Sequence, residues 1–356
     1  MMNTNKGSRP PIRPFCIAVV KWVETDGIAK PIGDELLALG YQLKYFKYDS
    51  AIPDDVDLVF SFAPYGRFLQ MPRQIAQIPI EKRPLLLHWS MESLPNHSIP
   101  WILMSPIGAF RSWVDRLNDH ERDIIGMLVN KPPLNWVNER MHKFRFIGDY
   151  LYAYRRGWLD IFVESSEIHS KLYLKYGVPA IYVPWGTSPR WYANLKLERD
   201  IDVLWMGKRR TRRRSRLIDQ IRDQLSSRGY FMYIADNEEN PFIFGEKRTR
   251  FLNRAKITLG LLPTWYDTAS TFRINLAAAN RSLFVSEPFL PHSPAYLAGK
   301  HYVSTSVDTI VDKIIYNLDH ENDRHHILDN AYHLVTTKLT FRNSIKAIMD
   351  TVHQNF

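Results

Sequence analysis

The apolar positions of the chain form short continuous runs, separated by segments with helical spacing. Phe15–Val20 is the first such run, and this pattern is typical of a strand that is covered on both faces of a parallel sheet. Pro31 then opens a segment with leucines on one helical face, and Gly40 closes it. A second strand follows at Leu43–Phe46, so the chain is predicted to begin with a βαβ unit.

The alternation continues along the chain and restarts after a connector. Further strands are predicted at 57–62, 84–89, 159–166, 180–186, 201–207, 230–236, 255–263 and 282–287. Helices are predicted at 166–177, 212–228, 246–255 and 271–279, and helical spacing dominates after Val307. Residues 186–200 lack a period and indicate the connector. Two such halves predict an α/β fold with two doubly wound Rossmann-like domains facing a central cleft, followed by C-terminal helices.

The predicted organisation has four parts. A disordered, proline-rich lead covers 1–14, an acceptor-side domain covers 15–190, and a donor-side domain covers 191–340. A terminal helix at 341–356 is expected to pack back toward the first domain. No apolar run reaches the roughly 20 residues of a membrane span, and the N-terminus lacks the apolar core of a secretory signal. With Cys16 as the single cysteine, we expect a cytoplasmic protein without disulfides.

The positive charge is concentrated in one segment. Seven of the nine residues from Lys208 to Arg216 are basic, and without them the formal charge of +10 falls to +3. We call this segment the basic block. Such a cluster attracts nucleic acid, phosphate, anionic lipid or an acidic partner, and its place in the fold decides among them.

The basic block follows a strand that ends in glycine, and this arrangement resembles the donor lobe of GT-B-type glycosyltransferases. In that family, basic residues after the first strand of the second lobe hold the donor diphosphate. Gly207 matches the strand-ending glycine and Lys208 the basic residue after it. Arg213 lies six residues past Gly207, where many retaining members carry a lysine. Cations and helix N-terminal amides both favour a diphosphate.

A second stretch, which begins at Asp267, is similar to the donor-helix motif of the same family. Retaining members have two acidic residues separated by seven others; here Asn275 stands where the second is expected. Bacterial spore-coat-maturation-like domains also carry an arginine shortly before the second acidic residue, and Arg273 matches this arginine. The spacing from Arg273 to Asn275 is one residue shorter than in that group. By that group's spacing, Leu276 would align with the second acidic residue instead. An asparagine can hydrogen-bond ribose hydroxyls but brings no charge. Asn280 stands where a glycine normally closes this helix, and asparagine also tolerates the left-handed conformation.

Two weaker likenesses complete the resemblance. The turn after the first strand has Gly27, where a glycine would let the backbone approach a ligand in the cleft. The stretch from Gly299 to Asp308 is similar to the one that follows the donor lobe. The resemblance therefore covers most of 200–340, and only the outline of the first half.

The resemblance implies a glycosyltransferase that moves a sugar from a UDP-, GDP- or other nucleotide sugar to a glycan, lipid-linked or small-molecule acceptor. It implies no cofactor and no essential metal, because cations would stabilise the departing diphosphate. The predicted donor-binding residues are Gly207, Lys208, Arg209, Arg213, Asp267, Thr271, Arg273, Asn275 and Glu287, with Gly27 in the first loop. The predicted catalytic residues, at strand ends and loops of the first lobe, are His88, Glu92 and Asp26.

Two other classes stay open. The protein could be a non-catalytic nucleotide- or sugar-binding relative, since the usual glutamate is absent. It could also bind nucleic acid through Lys208–Arg216, although no helix-turn-helix, zinc-finger or RNA-recognition pattern accompanies the block. A peripheral contact between the block and an anionic membrane is compatible with the transferase. The sequence does not decide between retention and inversion of configuration.

Overall fold

The computed structural model describes residues 16–22, 27–62, 68–92, 94–96, 98–118, 143–209, 211–263, 271–288 and 295–355. These residues form two parallel β-sheets with helices around them. The first sheet has six strands in the order β2-β1-β3-β4-β5-β6, and the second has five in the order β11-β10-β9-β7-β8. The fold class predicted from the sequence is confirmed.

The strands follow the apolar runs closely. Those of the N-terminal lobe are β1 Cys16–Lys21, β2 Gln42–Lys47, β3 Leu58–Phe62, β4 Leu85–Ser90, β5 Ile161–Glu164 and β6 Ala180–Tyr182. Those of the C-terminal lobe are β7 Ile201–Met206, β8 Met232–Ala235, β9 Ala255–Gly260, β10 Leu283–Ser286 and β11 Val303–Ser304. Several end earlier than their apolar runs because polar residues begin the next turn. Ser166, for example, lies inside the predicted 159–166 strand but caps the following helix by accepting a hydrogen bond from the amide of His169.

The helices cover both sheets. Those of the N-terminal lobe are α1 Ala29–Ala38, α2 Gln70–Gln77, α3 Trp101–Asn118, α4 Phe144–Arg155 and α5 Glu167–Lys175. The remaining helices are α6 Arg212–Ser226, α7 Gly245–Arg254, α8 Thr271–Ala279, α9 Ile310–Asp319, α10 Glu321–His333 and α11 Phe341–Asn355. No helix among the described residues is long and apolar enough to cross a bilayer.

Two segments link the lobes, and they pair with each other. The amide of Thr187 donates to the carbonyl of Leu339 at 2.8 Å, and the amide of Phe341 donates to the carbonyl of Thr187 at 3.0 Å. Gly186 makes this approach possible, because a Cβ there would lie 2.3 Å from the backbone carbonyl carbon of Thr340. The chain thus returns to the N-terminal lobe beside the point where it left.

The terminal helix lies against the N-terminal lobe. The ring of His353 in α11 stacks on Tyr41, which follows α1, and Arg342 forms an ion pair with Glu35 of α1 at 3.3 Å. Phe341 packs against Trp89 and Trp185, which are both fully buried and contact each other. These aromatic contacts bury the start of the terminal helix in the core of the N-terminal lobe. The domain limits predicted from the sequence stay a prediction.

Candidate functional site

The carboxyl end of β7 forms a tight turn that positions the centre of the candidate site. The indole Nε1 of buried Trp205 donates to the carbonyl of Gly207 at 2.9 Å. Gly207 has a φ of 124°, a conformation that L side chains rarely adopt. The glycine predicted from the strand pattern therefore has a conformational reason.

Arg273 of α8 occupies the space next to this turn. Its guanidinium lies 5.0 Å from the centre of the Trp205 ring, and a Cβ on Gly207 would be 2.9 Å from its Nη2 atom. Among the described residues it has no hydrogen-bond or ion-pair partner, and burial lowers the pKa of Arg273 to about 10. The group remains charged at neutral pH. A half-buried, unpaired cation is costly unless an anion joins it.

Arg213 and Glu287 close the same edge of the sheet. Glu287 is buried after β10 and forms an ion pair with Arg213, near the start of α6. The amide of Leu262, just past β9, donates to Glu287 Oε1 at 2.7 Å, and Arg213 Nη1 donates to the Leu262 carbonyl at 3.1 Å. The structure thus brings Arg213 and Glu287 together, and this ion pair already uses the charges of both.

Arg209 points away from the edge into a cluster of carboxylates. It donates to Asp219 at 2.7 Å and to Glu239 at 2.6 Å, and its Nε contacts buried Asp236. All three guanidinium nitrogens therefore have protein acceptors. This arrangement does not favour the predicted diphosphate contact of Arg209, because an anionic ligand would have to compete with three carboxylates.

The other members of the basic block differ in direction. Arg214 is buried, lies 5.5 Å from the centre of the Trp205 ring and donates to the Lys208 carbonyl at 3.1 Å. Lys208, Arg212 and Arg216 are exposed. Some cations of the basic block are therefore buried and bonded within the protein, whereas others are exposed. Their closeness in the sequence does not show which are which.

Asn275 takes part in the junction between the lobes. It is fully buried; its Nδ2 donates to the carbonyl of Trp185 at 2.7 Å, and its Oδ1 accepts from the hydroxyl of Tyr296. A carboxylate could not donate to the Trp185 carbonyl, which explains why an amide suits this position. Both polar atoms are in use, so the geometry does not favour the predicted ribose contact.

Asn280 follows the last residue of α8 and does not use the left-handed conformation that asparagine tolerates. The left-handed residue after α8 is Arg281, with a φ of 55°. Asn280 is buried, and its Nδ2 donates to the carbonyls of Trp191 at 3.1 Å and of Leu276 at 2.9 Å. Asn280 therefore ties α8 to the connector.

Arg248 is a candidate site residue that the sequence pattern does not single out. It lies in α7, its guanidinium is 5.2 Å from the centre of the Phe272 ring, and burial lowers the pKa of Arg248 to about 10. Phe272 packs on Trp191, whose indole donates to the carbonyl of Gly27 at 3.2 Å. Arg248 has no ion-pair partner in the described part of the chain, and through these contacts it lies near the seam between the lobes.

In the N-terminal lobe, His88 is enclosed. Its ring nitrogens lie 3.1 Å from the Ser61 hydroxyl and 3.2 Å from the Tyr150 hydroxyl, and Phe68 packs on the ring at 4.6 Å. Burial lowers the pKa of His88 to about 3, so the ring is neutral at physiological pH. With no exposed surface, His88 is not placed to reach an acceptor in this conformation.

Two carboxyl groups lie near the carboxyl ends of β4 and β5. Glu92 is half-buried two residues after β4, and its amide contacts the Ser90 hydroxyl at 3.5 Å. Glu164 ends β5 and is fully buried; burial raises the pKa of Glu164 to about 8, so it is largely protonated at neutral pH. The apolar run of β5 gave no reason to select Glu164.

Several predicted residues cannot be placed. Asp26 and Asp267 lie outside the described residues, and only the backbone of Thr271 is described, at the start of α8. Gly27 is described, and a Cβ there would meet nothing within 4 Å. Within the described ranges, no group of three His, Cys, Asp or Glu side chains could hold a metal ion.

Comparisons with known proteins find the fold and no close relative. No family model and no curated protein sequence matches the chain. Among solved structures, HepE from Anabaena in complex with UDP and glucose covers 96% of this chain and 100% of its own, with a TM-score of 0.56 and 8% identity. Sucrose-phosphate synthase from Thermosynechococcus elongatus covers 96% of this chain and 99% of its own, with a TM-score of 0.56 and 10% identity. A glycosyltransferase from Rickettsia africae covers 96% of this chain and 99% of its own, with a TM-score of 0.57 and 8% identity.

Structural likeness at such low identity shows the fold alone. The chain has the two-lobed GT-B fold of these glycosyltransferases, as the sequence resemblance implied.

Proposed function

We propose that the protein is a glycosyltransferase that moves a sugar from a nucleotide-sugar donor to an acceptor. The observation that carries the proposal is Arg273, a cation without a described partner, held against the Gly207 turn where β7 ends. In open α/β sheets, ligands bind at the carboxyl ends of the strands. A diphosphate at this turn would neutralise the guanidinium and meet the first amides of α6.

The donor would be held by few charges. Arg273 takes the diphosphate, exposed Lys208 adds charge at its open side, and Arg248 supplies a second cation from α7. Because Arg213 is neutralised by Glu287, its role is to fix the edge of the site. Charge stabilisation of the leaving diphosphate by Arg273 and Lys208 makes an essential metal unnecessary in this proposal.

The acceptor would approach from the N-terminal lobe. Glu92 is the predicted base that retains some exposure. Its amide contacts the Ser90 hydroxyl, which also hydrogen-bonds buried Glu164. A glycan, a lipid-linked sugar or a small molecule remain acceptor classes of the proposal. The exposed members of the basic block, Lys208, Arg212 and Arg216, are suited to an anionic acceptor or to a peripheral contact with anionic lipid.

Nucleotide sugars are expected to stabilise the protein against heat. At a ligand concentration 100 times the dissociation constant, mass action contributes about 2.7 kcal/mol, which raises the unfolding temperature by several degrees. The measurement is a thermal-shift panel of UDP-, GDP-, ADP- and dTDP-sugars, each with and without EDTA. Salt-sensitive DNA binding without any nucleotide effect would exclude the transferase, and loss of the shift in EDTA would exclude metal independence.

Gly207→Ala is expected to weaken donor binding as well as stability. The φ of 124° costs about 1–2 kcal/mol for an L residue, and the new methyl group would displace the Arg273 guanidinium. Gly229→Ala is the matched control, because Gly229 has a φ of 83° in the same lobe and open space around it. Equilibrium unfolding should show similar losses in both variants, and calorimetry a lower donor affinity only in Gly207→Ala. Equal donor affinities would contradict the placement of Arg273.

A non-catalytic binder is the second candidate, and Asn275 favours it. The position at which retaining relatives carry a glutamate is occupied by a side chain that joins the lobes. Release of free sugar or a glycosylated acceptor from a bound nucleotide sugar separates the enzyme from the binder. A protein that binds the nucleotide sugar and never consumes it would be the binder.

A further inference from the structure

Helix α3 exposes an apolar face of a kind that a protein surface rarely keeps in water. Met104, Gly108 and Ser112 lie on its buried side, and Gly108 packs closely on α4, since a Cβ there would be 3.2 Å from the Gly148 amide nitrogen. The opposite side carries large apolar side chains that repeat at helical spacing. Their exposed fractions are 78% for Ile102, 53% for Leu103, 54% for Phe110 and 47% for Trp113.

From Trp101 to Val114, the part of α3 whose side chains the structure describes, this face carries no charge. From Trp101 to Val114 the only ionisable side chain is Arg111, and it is turned inward, with 7% of its surface exposed. The exposed positions between the large side chains are Pro106 and Ala109, which are also uncharged. A helix surface in water normally presents polar residues on its outer side, so a contiguous apolar stripe marks a surface that meets something other than water.

The stripe continues onto a second helix that brings basic residues. Trp101, at the start of α3, stacks on Tyr176, just past α5, with 3.5 Å between ring centres. Leu174 of α5 is 62% exposed, and Lys175 beside it is exposed as well. Lys171 lies one turn earlier and is paired with Glu167 at 2.7 Å. Apolar and aromatic side chains with lysine at their edge are typical of a helix that lies in the plane of a membrane interface.

We propose that the exposed face of α3, together with Leu174 and Lys175, is a surface by which the protein lies on a lipid bilayer. The apolar side chains enter the boundary between headgroups and acyl chains, and Lys175 meets anionic headgroups. We commit to lipid as the occupant, because the stripe is a narrow row of five large apolar side chains with exposed Lys175 at its edge, which complements anionic headgroups. This surface is separate from the basic block and from the donor site.

Vesicle flotation tests the proposal. The full-length protein is mixed with vesicles of phosphatidylcholine and phosphatidylglycerol in equal amounts, or of phosphatidylcholine alone. The protein is expected to float with the anionic vesicles and less with the neutral ones. The variant Leu103→Ser/Phe110→Ser/Trp113→Ser should lose about tenfold or more of this partitioning, because three large apolar side chains no longer leave water. These positions are exposed, so the fold should be retained.

Three comparisons make the result decisive. Phe231→Ser, at a position 53% exposed in the C-terminal lobe, should float as the wild type does. The proposal would be overturned if the α3 variant floated as the wild type does. It would also be overturned, in favour of the basic block, if flotation were lost only in Lys208→Ser/Arg212→Ser/Arg216→Ser. Light scattering tests the remaining alternative. If the wild type is a dimer, the α3 variant is a monomer and neither protein floats, the face binds a second copy of the chain.

The membrane surface and the donor site fail separately. Nucleotide-sugar thermal shifts of the α3 variant should equal those of the wild type. If the shifts are absent in both proteins and flotation depends on α3, the transferase proposal fails and the membrane surface stands.

Discussion

Arg273→Ala is expected to remove most of the donor affinity while leaving the protein as stable as before, or more stable. Loss of one preorganised donor to developing charge typically costs about 100-fold or more in rate. The cation is half-buried without a described partner, so its removal relieves a desolvation cost in the free protein. Nucleotide-sugar turnover and calorimetric affinity measure the first effect, and urea unfolding without ligand measures the second.

Two further variants sharpen this prediction. Arg216→Ala removes an exposed cation from the same lobe and should change affinity little, since charges on the surface are screened. Arg273→Lys keeps the charge but loses the planar group that lies over Trp205, so we expect an intermediate affinity. Wild-type affinity in Arg273→Ala would show that the donor binds elsewhere.

Asn275→Asp is expected to destabilise the fold by about 3–5 kcal/mol, because it leaves an uncompensated carboxyl group in the core. The Trp185 carbonyl would lose its donor, and a carboxylate would face it. Burial would raise the pKa of the new carboxyl in the folded state, so the loss is smallest below its unfolded pKa and grows as the pH rises through the folded value. Urea unfolding at several pH values measures both the size and the slope.

The matched control for this substitution is Asn322→Asp. It makes the same chemical change at an exposed position in the first turn of α10, where an acid is favourable, and should change stability by about 0.5 kcal/mol or less. A similar effect in the two variants would mean that Asn275 does not hold the lobes together.

The elements could be predicted from the sequence because local patterns determine them. A short continuous apolar run, such as the one that forms β1, is typical of a strand that is covered on both faces of a sheet. Thr211 begins α6 by accepting a hydrogen bond from the Arg214 amide, a local contact that a sequence can reveal. Strand ends were less certain, since single polar residues such as Ser166 decide them.

The roles of individual side chains could not be predicted in the same way. Arg209 and Arg273 carry the same charge, and only contacts with distant residues separate them: Asp236 lies 27 positions from Arg209. Asn275 donates to a carbonyl 90 positions away, so its match to the second acidic position of the family motif could not predict this contact. Arg248 stands in a helix with several other cations, and its place over Phe272 depends on the packing of two helices.

The paired segments at Thr187 and Thr340 determine how the cleft can open. A single connecting strand would let the two lobes bend, twist and slide, whereas two strands bonded side by side act as one hinge. Twisting would break the hydrogen bonds between Thr187 and its neighbours, so bending across the pair is the motion of lowest cost. Because α11 is fixed to α1, it belongs with the N-terminal lobe in such a bend, and the C-terminal lobe begins and ends at the same pair of segments.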